Sequence, residues 1–167
     1  MTRLLGLALL LGVWLIGCGD DKNYLYGSIE QEYGLSLDFD SVKIEKNASQ
    51  LTISYLKKYA VQRCNYSIEN DVLIVTLERI PAETELKNWL DFKSSIKIDR
   101  SVLTLPAMSC MQDQVQQQSF PEKLTVTEAS VIVSKVGAKP GDAVEGEFRV
   151  RFGGSTLNGG FQGKSAK

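Results

Sequence analysis

The chain has 167 residues, of which 19 are basic, 20 are acidic and none is histidine. Because the charge is nearly balanced, neither nucleic acid nor anionic lipid is predicted to bind the chain by charge alone. Without histidine, Ser-His-Asp and Cys-His catalysis and an ordinary zinc site are excluded. Motifs of the GxSxG, GxGxxG and P-loop types are also absent, so the sequence predicts no enzyme, cofactor or metal.

The N-terminus has the pattern of a secretory signal peptide. Arg3 supplies a positive charge, and residues 4–16 then carry no charge, with only Gly6 and Gly12 interrupting the apolar run. That run is shorter than the roughly 20 apolar residues that cross a bilayer, and no cluster of charges follows it. A removable leader over residues 1–17 is therefore predicted in preference to a permanent membrane span.

The leader ends in Leu15-Ile16-Gly17-Cys18, which resembles the lipobox of bacterial lipoproteins. The resemblance implies lipidation of Cys18 with diacylglycerol, cleavage before it, and a further acyl chain such as palmitate on the new amino group. Two or three acyl chains anchor a protein stably, whereas one holds it only marginally. Gly19 stands where an aspartate favours inner-membrane retention in lipoproteins, so an outer-membrane lipid anchor is expected, periplasmic or surface-exposed.

Two cysteines remain after Cys18, namely Cys64 and Cys110. An even number of cysteines in an oxidising envelope compartment predicts one structural disulfide, with a redox or metal role as the weaker alternative. Residues 18–23 are interpreted as a lipidated tether, and residues 24–167 have the length of a single domain.

Alternating apolar residues predict short strands through the first half of this domain. The alternation covers residues 35–39, changes phase before residues 42–44 in the manner of a bulge or tight turn, and resumes at residues 51–55. Residues 71–80 are apolar on both faces and predict a central strand. After Pro81, the spacing of Leu86, Trp89 and Leu90 predicts one short helix.

Further strands are predicted in the second half, around residues 96–98, 102–105, 124–126 and 131–136, with a glutamine-rich loop at residues 111–120 and a break at residues 128–130. Lys139-Pro140-Gly141-Asp142 has proline and glycine at the centre of a type II turn. Many short strands with little helix predict an all-β fold, an antiparallel β-sandwich or partly open barrel.

The strongest structural signal is a C-terminal hairpin that turns at Gly153-Gly154. A two-residue loop predicts the pairs Phe152–Ser155, Val150–Leu157, Phe148–Gly159 and Gly146–Phe161. Each strand glycine would then lie under a phenylalanine, an arrangement that restores buried apolar area and fixes the register. A four-residue loop, which would pair Phe148 with Phe161, stays open at this point.

Residues 141–163 and 33–56 resemble segments of uncharacterised all-β lipoproteins of myxobacterial type. In that group a lipobox precedes a β domain that closes with a glycine- and phenylalanine-rich hairpin. The resemblance implies the fold and the envelope location. It implies no active site, because the group has no established activity.

Three clusters of side chains are candidates for a functional role. Asp38 and Asp40 are a candidate calcium or carboxylate pair, although the two supply too few ligands and a solvated strand face is favoured. Arg149 and Arg151 are a candidate anionic-ligand stripe, although Glu145 and Glu147 share their face and favour ordinary charge alternation. Trp89, with its two leucine neighbours, is a candidate docking ridge or lid, although core packing is favoured.

The sequence therefore predicts a non-enzymatic, lipid-anchored envelope protein that acts as a structural or interaction module toward an envelope protein or a wall polymer. The alternative is a binding protein for a hydrophobic or glycan ligand held in a β-sandwich cavity. A hydrolase that uses two carboxylates ranks third, because it needs two acids at catalytic separation in a cleft.

Overall fold

The computed structural model describes residues 22–61, 66–101, 103–105, 115–117 and 124–166. These residues form mainly strands, with one short α-helix, α1 (Ile29–Tyr33), and one 3-10 turn, Glu83–Glu85. The strands are β1 Tyr24–Tyr26, β2 Ser41–Lys46, β3 Leu51–Val61, β4 Tyr66–Leu77, β5 Leu90–Asp91, β6 Ile96–Asp99, β7 Leu103–Leu105, β8 Val115–Gln117, β9 Glu128–Val136, β10 Ala143–Phe152 and β11 Ser155–Ala166. The predicted all-β fold is confirmed.

One large sheet curls into a half-barrel with the strand order β5-β9-β10-β11-β2-β3-β4-β6. β11 joins its two halves. One edge of β11 pairs along its length with β10, while the other edge pairs with β1 and, at its end, with β2. Every pairing is antiparallel except that of β11 with β2, and β7 pairs with β8 in a separate small sheet. The predicted central place of residues 71–80 is confirmed for β4, which lies between β3 and β6.

The C-terminal hairpin has the predicted two-residue turn and the predicted register. Gly153 adopts φ 65°, a conformation that glycine reaches without a steric cost. A Cβ added to Gly146 would lie 2.6 Å from Cζ of Phe161, and one added to Gly159 would overlap the ring of Phe148. Each glycine is therefore a space that a phenylalanine of the opposite strand fills.

The type II turn at residues 139–142 is also confirmed. Gly141 has φ 89°, and the backbone N–H of Asp142 donates to the carbonyl of Lys139 at 3.2 Å. The turn leads into β10 and keeps β9 and β10 as adjacent strands.

The concave side of the half-barrel is filled by a packed core. Its centre is Tyr55, whose ring meets Phe39 and Phe148 edge to face at centroid distances of 5.0 Å and 6.3 Å. The Tyr55 hydroxyl donates to the carbonyl of Gly160 at 2.8 Å, so the one polar atom of this buried ring is satisfied. Apolar residues of the facing strands complete the core: Leu51, Ile53, Leu73, Val75, Leu77, Val131, Val150, Leu157 and Phe161.

The connection from β4 to β6, residues 78–95, links the two ends of the sheet, and we call it the strap. β5 lies within the strap and pairs with β9 at one end of the sheet, whereas β6 pairs with β4 at the other end. The Phe92 side chain of the strap is fully buried, and the guanidinium of Arg79 lies 4.5 Å from its ring centroid. Arg79 is also ion-paired with Glu85 at 2.9 Å.

The predicted helix after Pro81 is wrong. A single 3-10 turn is followed by Lys87 at φ 65°, a conformation outside any right-handed helix, and then by β5. The backbone N–H of Lys87 donates to the carbonyl of Val133 at 2.9 Å. Pairing with β9 satisfies the backbone of the strap and overrides its helical spacing. The short helix is α1 instead, which ends at Gly34 with φ 64°.

Three smaller predictions are also corrected. Leu35 and Leu37 are buried as their alternation suggests, but residues 35–39 are irregular and the strand begins only at Ser41. Residues 124–126 form no strand, and the predicted break at residues 128–130 is the start of β9. Within the predicted glutamine-rich loop, β8 forms at Val115–Gln117.

Candidate functional site

The convex side of β1, β9, β10 and β11 is the candidate functional surface, and we call it the outer face. Burial alternates along β10, where Glu145, Glu147, Arg149 and Arg151 are the more exposed residues and their neighbours are buried. Because successive strand side chains point to opposite sides, these four charged residues lie on the outer face. Tyr24 and Tyr26 share that face on β1, with Leu25 packed against the core between them.

Trp89 and Arg149 define an open cleft of about 470 Å³ on the outer face, the Trp89 cleft. The guanidinium carbon of Arg149 lies 4.2 Å from the ring centroid of Trp89, within cation–π distance. Trp89 is 40% exposed, so its favoured interpretation as a core residue is wrong. Leu86 and Leu90 do pack against the core. The three side chains separate because the strap is extended and does not present them on one helical face.

Most charged groups around the Trp89 cleft already have partners. Arg151 lies 3.6 Å from the carboxylate of Glu128, and Asp91 accepts the backbone N–H of Lys93 at 2.9 Å. Arg149 differs: within the described part of the chain its guanidinium forms no ion pair and no hydrogen bond, and it is held by the Trp89 ring. Its planar set of N–H donors therefore faces the cleft unused.

A second cleft of about 360 Å³, the Tyr24 cleft, adjoins the first on the outer face. Burial, followed by the neighbouring carboxylate of Glu147 to which its hydroxyl donates, raises the pKa of Tyr24 to about 12. A hydrogen bond from the ammonium of Lys22 holds the pKa of Glu145 below its ordinary value, and the two groups are 2.6 Å apart. Tyr24 stacks on Tyr26 at 5.8 Å, and Tyr26 is 58% exposed.

The two clefts form one continuous surface. Glu147 of the Tyr24 cleft and Arg149 of the Trp89 cleft are next-but-one residues on β10, roughly 7 Å apart along the strand. Asn158 of β11 pairs with both Arg149 and Tyr26, so it lies between the aromatic rings of β1 and the cation of β10. The outer face thus alternates aromatic rings with hydrogen-bonding groups.

Asp38 and Asp40 are ion-paired to a single lysine. The ammonium of Lys57 lies 2.6 Å from Asp38 and 3.5 Å from Asp40. Asp40 also accepts the backbone N–H of Lys58, and this hydrogen bond, followed by the charge of Lys57, lowers the pKa of its carboxyl group. No group of three potential metal-ligating side chains occurs among the residues that the structure describes.

Cys18, Cys64 and Cys110 lie outside the described residues, as does the predicted leader. No helix in the described part of the chain has the length and apolar character needed to cross a bilayer. No family model, curated protein or solved structure matches this chain. The lipobox and the likeness to all-β lipoproteins of myxobacterial type therefore stay predictions, as does the disulfide.

Sequence reasoning identified Arg149 and Trp89 separately, but it did not bring them together and it omitted the tyrosines. The run Tyr24-Leu25-Tyr26 carries a period of two that predicts both rings on one side of a strand. No comparable signal places Trp89, because its position depends on pairing between the strap and β9.

Proposed function

We propose that this chain is a lipid-tethered, non-enzymatic envelope module that binds an extended polysaccharide on its outer face. The observation that carries the proposal is the Trp89 cleft, where an exposed indole stands beside groups that can bond to hydroxyls. The apolar C–H side of a sugar ring packs on an aromatic ring, and sugar hydroxyls pair with amide and charged groups.

The packing of the half-barrel favours the outer face over an internal cavity. Tyr55, Phe148 and Phe161 are fully buried on the concave side, where a sandwich-cavity ligand would have to lie. The Trp89 and Tyr24 clefts both open on the convex side. A wall polymer lying across both clefts is therefore favoured over a hydrophobic ligand enclosed by the sheet.

The charges of the Tyr24 cleft favour binding over hydrolysis. Glu145 and Glu147 share one face of β10 and both line this cleft, so they are the acids to consider for a glycosidase pair. A general acid needs a raised pKa, and the pKa of Glu145 is lowered by Lys22. The carboxylate of Glu147 accepts a hydrogen bond from the Tyr24 hydroxyl. These contacts favour a non-catalytic role.

The tether would place this face near the membrane. The four peptide steps from Cys18 to Lys22, which lines the Tyr24 cleft, span at most about 14 Å. A lipid on Cys18 would thus confine the outer face to the layer next to an outer-membrane surface, and confinement raises its effective concentration for polymers there.

Lipidation is tested by labelling cells with an alkyne fatty acid and comparing wild type, Cys18→Ser and Cys64→Ser. We expect label and membrane fractionation in the wild type and in Cys64→Ser, and no label in Cys18→Ser. An unlabelled wild-type chain, or one whose intact mass retains the leader, would overturn the tether.

Polysaccharide binding is tested by co-sedimentation of the full chain with purified, protein-free envelope polysaccharide. We expect Trp89→Ala to weaken retention about five- to tenfold through the lost stacking. Tyr33→Ala is the matched control, because Tyr33 is 43% exposed but lies on α1 outside both clefts. Equal retention of all three proteins, or retention of none, would refute the proposal.

A further inference from the structure

We infer that the Trp89 cleft is specific for an anionic saccharide unit. Arg149 binds the acid group of this unit, and the sugar ring stacks on Trp89. This inference rests on the proposed function and names the chemistry of the ligand. Arg149 thereby has a role in ligand binding. Neither the alternation of charges along β10 nor the stability of the fold requires such a role.

The first support is that Arg149 is oriented without being neutralised. Surface arginines are commonly held by carboxylates, as Arg79 is by Glu85 and Arg151 by Glu128. Arg149 is instead held 4.2 Å from an aromatic ring, and no carboxylate or carbonyl among the described residues takes its donors. A stacked guanidinium keeps its charge and its bidentate edge, which match a carboxylate or phosphate.

The second support is the charge around the cleft. Its lining carries three cations, Lys93, Arg149 and Arg151, against the two carboxylates Asp91 and Glu128. Glu128 already faces Arg151, so Lys93 and Arg149 remain against Asp91, and Arg149 is the cation that contacts Trp89. An acid group on a bound sugar would neutralise the excess positive charge of the cleft, whereas a neutral sugar would leave that charge unpaired.

The third support is the hydrogen-bonding capacity next to the cation. Asn158 is the direct cross-strand neighbour of Arg149, and no hydrogen bond involving its amide is found within the described part of the chain. An amide offers both donors and an acceptor, which suit the adjacent hydroxyls of a sugar ring. Ring, acid and hydroxyls of one saccharide unit thus each have a partner: Trp89, Arg149 and Asn158.

The two clefts of the outer face differ in charge, and this difference favours one orientation of a bound polymer. Among the described residues, the lining of the Tyr24 cleft carries two acids, Glu145 and Glu147, and one cation, Lys22. Lys22 pairs with Glu145, so Glu147 is the carboxylate whose repulsion disfavours an acid group in that cleft. The anionic unit of a polymer is therefore expected in the Trp89 cleft and a neutral unit in the Tyr24 cleft.

The test uses fluorescence of the protein expressed with Trp14→Phe, so that Trp89 is its only tryptophan whether or not the leader that contains position 14 has been removed. The protein is kept in a detergent without sugar headgroups. Probes are the trimer of galacturonic acid, its neutral methyl ester, a galactose phosphate and inorganic phosphate. We expect each anionic sugar to bind at least about tenfold more tightly than the ester. The ester has no charge and therefore cannot form the charge-assisted hydrogen bonds.

Variants then assign the discrimination. Arg149→Gln should bind the acid trimer and its ester equally weakly, while Arg149→Lys should keep part of the preference because it retains the charge without the planar fork. Lys43→Gln is the control, since it removes an exposed cation of β2 outside the cleft. Circular dichroism checks that each variant is folded.

The outcomes separate this inference from the proposed function. Equal affinity of the wild type for the acid trimer and its ester would overturn the inference and leave sugar binding intact. Inorganic phosphate binding as tightly as galactose phosphate would also overturn it, because the site would then be a simple anion site. No response to any of these sugars would overturn the inference, whereas the proposed function is removed by the co-sedimentation test, if no protein is retained by envelope polysaccharide.

Discussion

The guanidinium of Arg149 on β10 lies 4.2 Å from the ring centroid of Trp89 on the strap. The two residues are 60 positions apart in sequence and belong to different elements, so their contact depends on β5 pairing with β9. The same pairing carries Phe92 into the core directly beyond β5. One segment therefore contributes both to the packing of the half-barrel and to its candidate binding surface.

The stack should be measurable as a coupling between the two side chains. We expect a double-mutant cycle of Trp89→Ala and Arg149→Ala to give about 0.5–1 kcal/mol in the free energy of unfolding, the magnitude of an exposed cation–π contact. Urea denaturation of the four proteins measures it. A cycle of Trp89→Ala with Lys97→Ala, a lysine paired with Glu78 elsewhere, should give a coupling near zero.

The glycine spaces of the hairpin should tolerate no methyl group. Gly159→Ala places a Cβ inside the ring of Phe148, and we expect it to destabilise the fold by about 1–3 kcal/mol through overpacking. Gly154→Ala is the matched control, because open space surrounds that position. Thermal unfolding compares the two, and an equal effect of both substitutions would contradict the predicted shielding.

The strap should depend on Phe92 more than on its neighbours. Phe92→Ala removes a fully buried ring from beneath Arg79, and we expect a loss of about 3–5 kcal/mol in the free energy of unfolding. Lys93→Ala, at the next and exposed position, should change stability little. Hydrogen exchange should also show faster opening at β5 in Phe92→Ala, and unchanged protection there would argue against the strap as a packed element.

Stability should fall at alkaline pH. Burial raises the pKa of Tyr55 well above its ordinary value of 10.0, and burial with Glu147 raises that of Tyr24 to about 12. Both pKa values are higher in the folded state than in the unfolded chain. The contribution of the two protonated tyrosines to the free energy of unfolding is therefore complete below pH 10, and it is lost as pH rises through the folded pKa values.

Urea midpoints between pH 8 and pH 12 measure this effect. Tyr55→Phe should lower stability at neutral pH by about 1 kcal/mol, because the hydrogen bond to Gly160 is lost, and should flatten the alkaline decline. Tyr33→Phe serves as the control, because Tyr33 is an exposed tyrosine on α1. An equally steep decline in Tyr55→Phe and the wild type would assign the alkaline loss to other groups.

The disulfide predicted between Cys64 and Cys110 has a direct chemical test. In urea without reductant, thiol titration of Cys18→Ser should find no free thiol, and reduction should then release two. We expect Cys64→Ser or Cys110→Ser to lose about 4 kcal/mol in the chain-entropy model. Two reactive thiols before reduction would exclude the pairing.

The C-terminal hairpin was predictable because its information is local. The Gly153-Gly154 turn and a period of two assign each residue to a side, and the structure selects the two-residue loop over the four-residue loop that the sequence left open. The same reasoning failed for the strap, where the spacing of Leu86, Trp89 and Leu90 is helical but the backbone pairs with β9. The spacing of neighbouring residues carries no information about a hydrogen-bond partner that lies about 40 residues later in the chain.

The amino-acid sequence by itself determined the β class, the turn at Gly153-Gly154 and the two sides of β10, because turns and alternation act between near neighbours, whereas the structure decided between the two hairpin registers. Only the tertiary structure decided that Trp89 leaves the core and that Arg149 stacks on it. The physical reason is that curling the sheet brings the strap against β9. The backbone hydrogen bonds formed there outweigh the preference of the strap for a helix.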